Sequence, residues 1–159
     1  MARWTPQKTD VLDSLAEEFL HNYGTGRTLL AVDGIDGAGK TQFADALADA
    51  LRGKGHTVIR ASIDGVTGAE LRQTLVEPFR RGETGGGTDS PGATLIVDGS
   101  ALGDPGTRGL WNWSVWLDGT AGANTEGRNE PAGSARAHAS AIVDNSDWDH
   151  PRRVFADSC

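Results

Sequence analysis

Hydrophobic and polar positions alternate along this chain between the period of helices and the runs of buried strands. Val11, Leu12, Leu15, Ala16, Phe19, Leu20 and Tyr23 recur at helical spacing. Asp10 or Thr9 supplies a candidate N-cap and Gly24 a stop, so the pattern predicts an N-terminal helix packed on a sheet. Thr28 to Asp33 is a short apolar run that reads as a buried strand. In the stretch Thr41 to Arg52, Phe43, Leu47 and Leu51 return to helical spacing. Gly53-Lys54-Gly55 turns the chain into a second strand, Thr57 to Ala61. Glu70 to Glu77 reads as a helix stopped near Pro78. Ala93 to Asp98, Trp113 to Asp118 and Ala139 to Asp144 are three more buried-strand runs. Gly82 to Gly92 and Gly119 to Gly133 carry no periodicity and read as flexible loops. Strands alternating with helices predict an α/β domain: three layers, with a parallel β-sheet covered by helices.

The octapeptide between the first strand and the second helix, Gly34-Ile35-Asp36-Gly37-Ala38-Gly39-Lys40-Thr41, matches G-x-x-x-x-G-K-[ST] in the strand–loop–helix setting that a phosphate-binding P-loop needs. Glycines let the backbone wind tightly, so that several N–H groups face one anion-sized cavity. The helix that follows offers its positive end to phosphate. The expected nucleotide-binding set is Gly34, Asp36, Gly37, Ala38, Gly39, Lys40, Thr41 and Gln42. Lys40 is the residue that reaches the β- and γ-phosphates, and the Thr41 hydroxyl is a ligand for Mg²⁺. Together these features predict a P-loop NTPase fold. Asp36, although inside the loop, reads as an exposed residue.

Composition narrows the partners. The chain has 159 residues, 37% of them hydrophobic, with 22 glycines and a net charge of −7. That size predicts a single P-loop kinase-like domain over 1–159, with a helix in 1–24 and loops at 82–92 and 119–133. The negative charge argues against a broad nucleic-acid or anionic-membrane surface, but not against a local phosphate site. The single cysteine, Cys159, excludes an intramolecular disulfide, and a cytoplasmic setting is expected. Residues 1–23 show no apolar leader core, and no run approaches a membrane span. His21, His56, His138 and His150 show no metal-ligand spacing.

Chemistry in such sheets gathers at the carboxyl ends of strands. Asp33, Asp64 and Asp98 fall there. Asp98 closes Leu95-Ile96-Val97-Asp98-Gly99, an apolar run ending in an acid suited to hold Mg²⁺ beside the phosphates; capping the next turn is its bland alternative. From its position, Asp64 is either a base for an acceptor hydroxyl or an ordinary Asp-Gly turn residue. Asp33 is either structural or orients a neighbouring group.

With these residues in view, the chain resembles the uridine kinases, within the nucleoside-kinase and phosphoribulokinase group, and in particular actinobacterial uridine-kinase-like proteins. The resembling blocks are Ala31 to Thr41, Val58 to Gly65, Thr94 to Gly99, Leu110 to Asp118 and Ala141 to Asp147. The resemblance implies ATP or GTP as donor, Mg²⁺, and γ-phosphate transfer to the 5′-hydroxyl of uridine or cytidine. It gives Asp64 the general-base position, beside Lys40 as the second catalytic residue, and Thr41 and Asp98 as metal ligands. It sets Asn145-Ser146-Asp147 near the nucleotide base.

Two segments depart from the family pattern. Asp64-Gly65 runs through Val66-Thr67-Gly68 almost directly into the Glu70 helix, where the family carries an aromatic and basic segment. The lid region, Gly119 to Gly133, holds only Arg128, with Arg136 just beyond; either arginine is a lid residue or a solvated charge. The expected activity is a nucleoside kinase acting on a small-molecule substrate. The alternative is a nucleotide-binding protein whose acceptor site and lid are degenerate. A slow ATPase ranks last, because no water-positioning residue is evident.

Overall fold

The computed structural model describes residues 8–35, 37–63, 68–83, 92–99, 102, 107–118, 136, 138–145 and 147–154. Helix α1 (Lys8–Tyr23) leads into strand β1 (Gly26–Gly34), helix α2 (Lys40–Gly53) and strand β2 (Thr57–Ser62). A composite helix follows: α3 (Gly68–Leu71), a π-helical turn (Arg72–Val76) and α4 (Glu77–Arg80). Strand β3 (Gly92–Asp98), a 3₁₀ turn (Arg108–Leu110), β4 (Trp113–Asp118), β5 (Ala141–Asp144) and β6 (Arg152–Val154) complete the order.

The six strands form one sheet in the order β2-β3-β1-β4-β5-β6. All neighbours are parallel except β6, which runs antiparallel to β5. The sheet is therefore mixed rather than purely parallel. The β6 sequence, Arg152-Arg153-Val154, carries no apolar run, so nothing in the hydrophobic pattern announces it. Arg153 pairs with Glu18 of α1 at 2.6 Å and joins this edge to the first helix.

Parallel strands covered on both faces must be apolar on both, and β1 and β3 are buried along nearly their whole length. Alternate residues point to opposite faces. Leu30, Val32, Ile96, Val115 and Leu117 meet Leu15, Phe19, Phe43, Leu47 and Leu51 of α1 and α2. Leu29, Ala31, Leu95 and Val97 meet Leu71, Val76 and Phe79 on the other side. This is the three-layer arrangement that the alternating pattern predicts. Trp113 fills the first face against Phe19, with ring centroids 5.7 Å apart, and Trp116 is buried with Ile142 near the β5 side.

Two local expectations need correction. Thr9 and Asp10 are not N-caps, because the helix already includes them from Lys8; Gly24 does follow its end. The helix predicted to stop near Pro78 instead continues to Arg80. A wider turn absorbs the proline: the Glu77 N–H reaches back five residues to the Arg72 carbonyl, and Pro78 begins a new α turn where its missing N–H has no required partner. Most of the 82–92 loop and all of 119–133 lie outside the described residues.

Candidate active site

The site grows from the adjacency of β1 and β3. Val32 lies in register with Asp98, so the chain leaving β1 enters its loop directly beside the β3 carboxylate. Gly37 and Gly39 both adopt φ 81°, a left-handed conformation that an L side chain reaches only at a cost. Gly39 is constrained a second way, since a Cβ there would lie 3.1 Å from Asn145 Nδ2. No side chain caps the N-terminus of α2, and its first helical bond runs from Phe43 N–H to the Gly39 carbonyl. The amides of Lys40, Thr41 and Gln42 thus lie outside the helix's own ladder, at the end where the macrodipole favours an anion.

Each expected loop residue has a distinct environment. Gly34 and Ala38 are buried, Gly37, Thr41 and Gln42 are exposed, and Gly39 and Lys40 lie between these extremes. The Gly34 N–H is held by Asp33 Oδ1 at 2.8 Å, and the Gly34 carbonyl accepts from Lys40 Nζ at 3.2 Å. The lysine is therefore folded back over the loop. Asp36 and Asp64 lie outside the described residues. Ile63, the residue before Asp64, donates its N–H to the Asp98 carbonyl at 2.9 Å.

Asp98 is the electrostatic centre. Its Oδ2 accepts from the Thr41 hydroxyl at 2.7 Å. Its Oδ1 accepts from Ser62 Oγ at 2.5 Å and from Arg60 Nη2 at 2.7 Å. Burial pushes the Asp98 carboxyl up, but the bonds from Ser62, Thr41 and Arg60, with the arginine's charge, outweigh it and leave the group below the ordinary carboxylate range. Asp98 is thus held as an anion, one oxygen braced by the protein and the other shared with Thr41. Adjacent hydroxyl and carboxylate oxygens are the donor set that a hard cation such as Mg²⁺ takes, so the residues present suit that ion. Among the described residues no group of three or more His, Cys, Asp or Glu side chains converges on one point.

Sequence reasoning missed Arg60 and Ser62. The available signal was a charge inside the strand Val58-Ile59-Arg60-Ala61, since a charge in a covered strand requires partners. Arg60 has four: Asp98 Oδ1, Asp45 Oδ1 at 2.9 Å, and the carbonyls of Ala61 and Ile96. Asn145, expected beside the nucleotide base, donates from Nδ2 to the Ala38 carbonyl at 2.7 Å, so it clamps the loop. Its Oδ1 is buried with no hydrogen-bond partner among the described residues. Ser146 lies outside the described residues, and Asp147 accepts the Asp149 N–H in a local turn. Arg136 is bound to Asp118, Nη2 to Oδ2 at 2.9 Å and Nε to Oδ1 at 3.1 Å. That hydrogen-bonded pairing raises its already high pKa. Arg128 lies outside the described residues. No helix among the described residues is long and apolar enough to cross a membrane.

No family model and no curated protein matches the chain by sequence. Solved structures do match. A possible uridine kinase from Bacillus stearothermophilus aligns over 84% of this chain and 97% of its own, with 18% identity and a TM-score of 0.58. A protein from Silicibacter sp. TM1040, named provisionally as a fructose transport system kinase, aligns over 87% and 91%, with 21% identity and a TM-score of 0.52. At these identities the likeness is one of architecture: the chain has the P-loop NTPase fold in the form that these kinase structures share.

Proposed function

We propose that the chain is a phosphotransferase that moves the γ-phosphate of ATP or GTP to a nucleoside hydroxyl, with uridine and cytidine as reference acceptors. The observation that carries this reading is the Thr41–Asp98 contact of 2.7 Å beside the Gly34–Thr41 loop. It joins a phosphate cradle to a pair of oxygen donors. Loop amides and the first turn of α2 bind the polyphosphate, and Lys40 exchanges its bond to the Gly34 carbonyl for phosphate oxygens. Thr41 and Asp98 would hold Mg²⁺, which when bound with nucleotide draws charge from the transferring group. Asp64 accepts the proton of the acceptor hydroxyl as the hydroxyl oxygen bonds to the γ-phosphorus and the bond from that phosphorus to the β,γ-bridging oxygen breaks, releasing ADP or GDP.

A second reading, nucleotide binding without efficient transfer, draws support from Arg136, whose guanidinium is engaged by Asp118. One experiment separates the two. ADP formation from Mg-ATP is measured across a panel of nucleosides and small alcohols, with Asp64→Asn as the matched control. The kinase reading expects release that depends on a nucleoside and disappears in Asp64→Asn while ATP affinity is retained. Identical release with and without every acceptor overturns it.

A further inference from the structure

Asn145 follows the last residue of β5 and is only 7% exposed. Its backbone is fixed at the end of the sheet, where its N–H donates to the Asp118 carbonyl at 2.9 Å. The Asp118 carboxylate is itself held by Trp116 Nε1 and Arg136 Nη2, each at 2.9 Å. From this anchor the side chain reaches Ala38, 107 residues earlier, with Nδ2 lying 2.7 Å from the carbonyl oxygen. A carbonyl only accepts, so the amide nitrogen must be the atom that faces it. That orientation leaves Oδ1 buried with no partner among the described residues. An orphaned buried acceptor costs stability, and stability alone therefore explains the arrangement poorly.

The bond to Ala38 governs the next amide as well. In a trans peptide the C=O of one residue and the N–H of the next point in opposite directions, and the described residues hold no cis bond. Drawing the Ala38 carbonyl toward Asn145 therefore turns the Gly39 N–H away from it. Gly39 packs closely on the same group, since a Cβ there would lie 3.1 Å from Nδ2. We propose that Asn145 is a positioning residue of the phosphate site: by holding the Ala38 carbonyl, it aims the Gly39 N–H at a phosphate oxygen, alongside the amides that open α2. Asn145 itself touches no phosphate and acts through the loop. The assignment rests on the phosphate-binding step of the phosphotransferase reading above. It differs from the place beside the nucleotide base that the resemblance implies.

The test is calorimetric titration of the full chain and of Asn145→Ala with Mg-ATP, Mg-GTP and magnesium tripolyphosphate, the last having neither base nor ribose. All three ligands are expected to bind the variant at least about tenfold more weakly, and by a similar factor. In wild type the Gly39 amide proton shifts downfield with tripolyphosphate, and that shift shrinks in the variant. Asn145→Ala exchanges one buried acceptor without a donor, Oδ1, for another, the Ala38 carbonyl. Its melting temperature therefore stays within about 4 °C of wild type. Asn145→Leu, which fills the space without a donor, decides the matter if Asn145→Ala fails to fold. Weaker ATP and GTP binding with tripolyphosphate affinity retained makes Asn145 a base or ribose contact and overturns the assignment. A larger drop in melting temperature in both variants makes its role structural and overturns it too. If wild type binds the ligands and the variants match it, the assignment alone falls. If wild type binds none of the three, the phosphotransferase reading falls and the assignment with it.

Discussion

Replacing Arg60 by glutamine removes the only cation that the described structure pairs with Asp98. The arginine side chain is 14% exposed and the aspartate 5%, so the pair lies largely out of water. Breaking a buried pair by removing one partner costs about 3–5 kcal/mol. Two features lower that figure here. Ser62 and Thr41 still donate to Asp98, and the second carboxylate bound by Arg60, Asp45, is 62% exposed and rehydrates readily. The Ala61 and Ile96 carbonyls lose a donor, which restores part of the loss. The expected destabilisation is about 2–3 kcal/mol at pH 7, read from urea unfolding. Its pH dependence has a definite sign. Asp98 is held below its unfolded value, about 3.9, so its contribution is fully present above that value and is lost as pH falls through the folded pKa. The gap between wild type and Arg60→Gln therefore narrows as the pH falls from 7 through the folded pKa of Asp98, below which the carboxyl is neutral. A gap below about 0.5 kcal/mol at pH 7, or one that stays constant over that range, refutes the electrostatic account of Asp98.

Gly39→Ala puts a side chain at φ 81° and a Cβ 3.1 Å from Asn145 Nδ2; a loss of about 1–2 kcal/mol is expected in thermal unfolding, together with weaker nucleotide binding. Unchanged stability and affinity would show that the loop does not need this conformation. His56, bonded to the Thr94 hydroxyl at 2.7 Å, has its pKa lowered by burial. The unfolded chain therefore takes up that proton first, and stability falls as pH drops through about 6.5 to the folded value. His56→Gln flattens this part of the stability profile, and an equally steep profile in the variant assigns the slope elsewhere.

How much of this was legible in the sequence follows from what each feature depends on. The loop is local: its glycines, lysine and threonine have fixed spacing, and the apolar runs on either side announce a strand and a helix. The order of the layers was legible for the same reason. Strand β6 was not, because a three-residue edge strand with two arginines is held by backbone pairing to β5 and by Glu18, far away in the chain. The continuation through Pro78 depends on a π turn, which rests on tertiary packing of Val76 and Phe79 rather than on propensity. Asp98 was recognisable from the run that it closes. Its partners were not, since Arg60 and Ser62 reach it only through the β2–β3 register that sets Ser62 opposite Asp98. Asn145 was singled out by resemblance, yet its contact is with the loop backbone, 107 residues earlier. Such long-range polar contacts have no periodic signature.

The central claim is that the loop from Gly34 to Thr41 binds a nucleotide's phosphates. Calorimetric titration of the chain and of Lys40→Ala with Mg-ATP tests it most directly. The account predicts saturable binding by the wild type, weakened at least about tenfold when the ammonium group is removed. Absence of binding by the wild type, or equal affinity in Lys40→Ala, contradicts it.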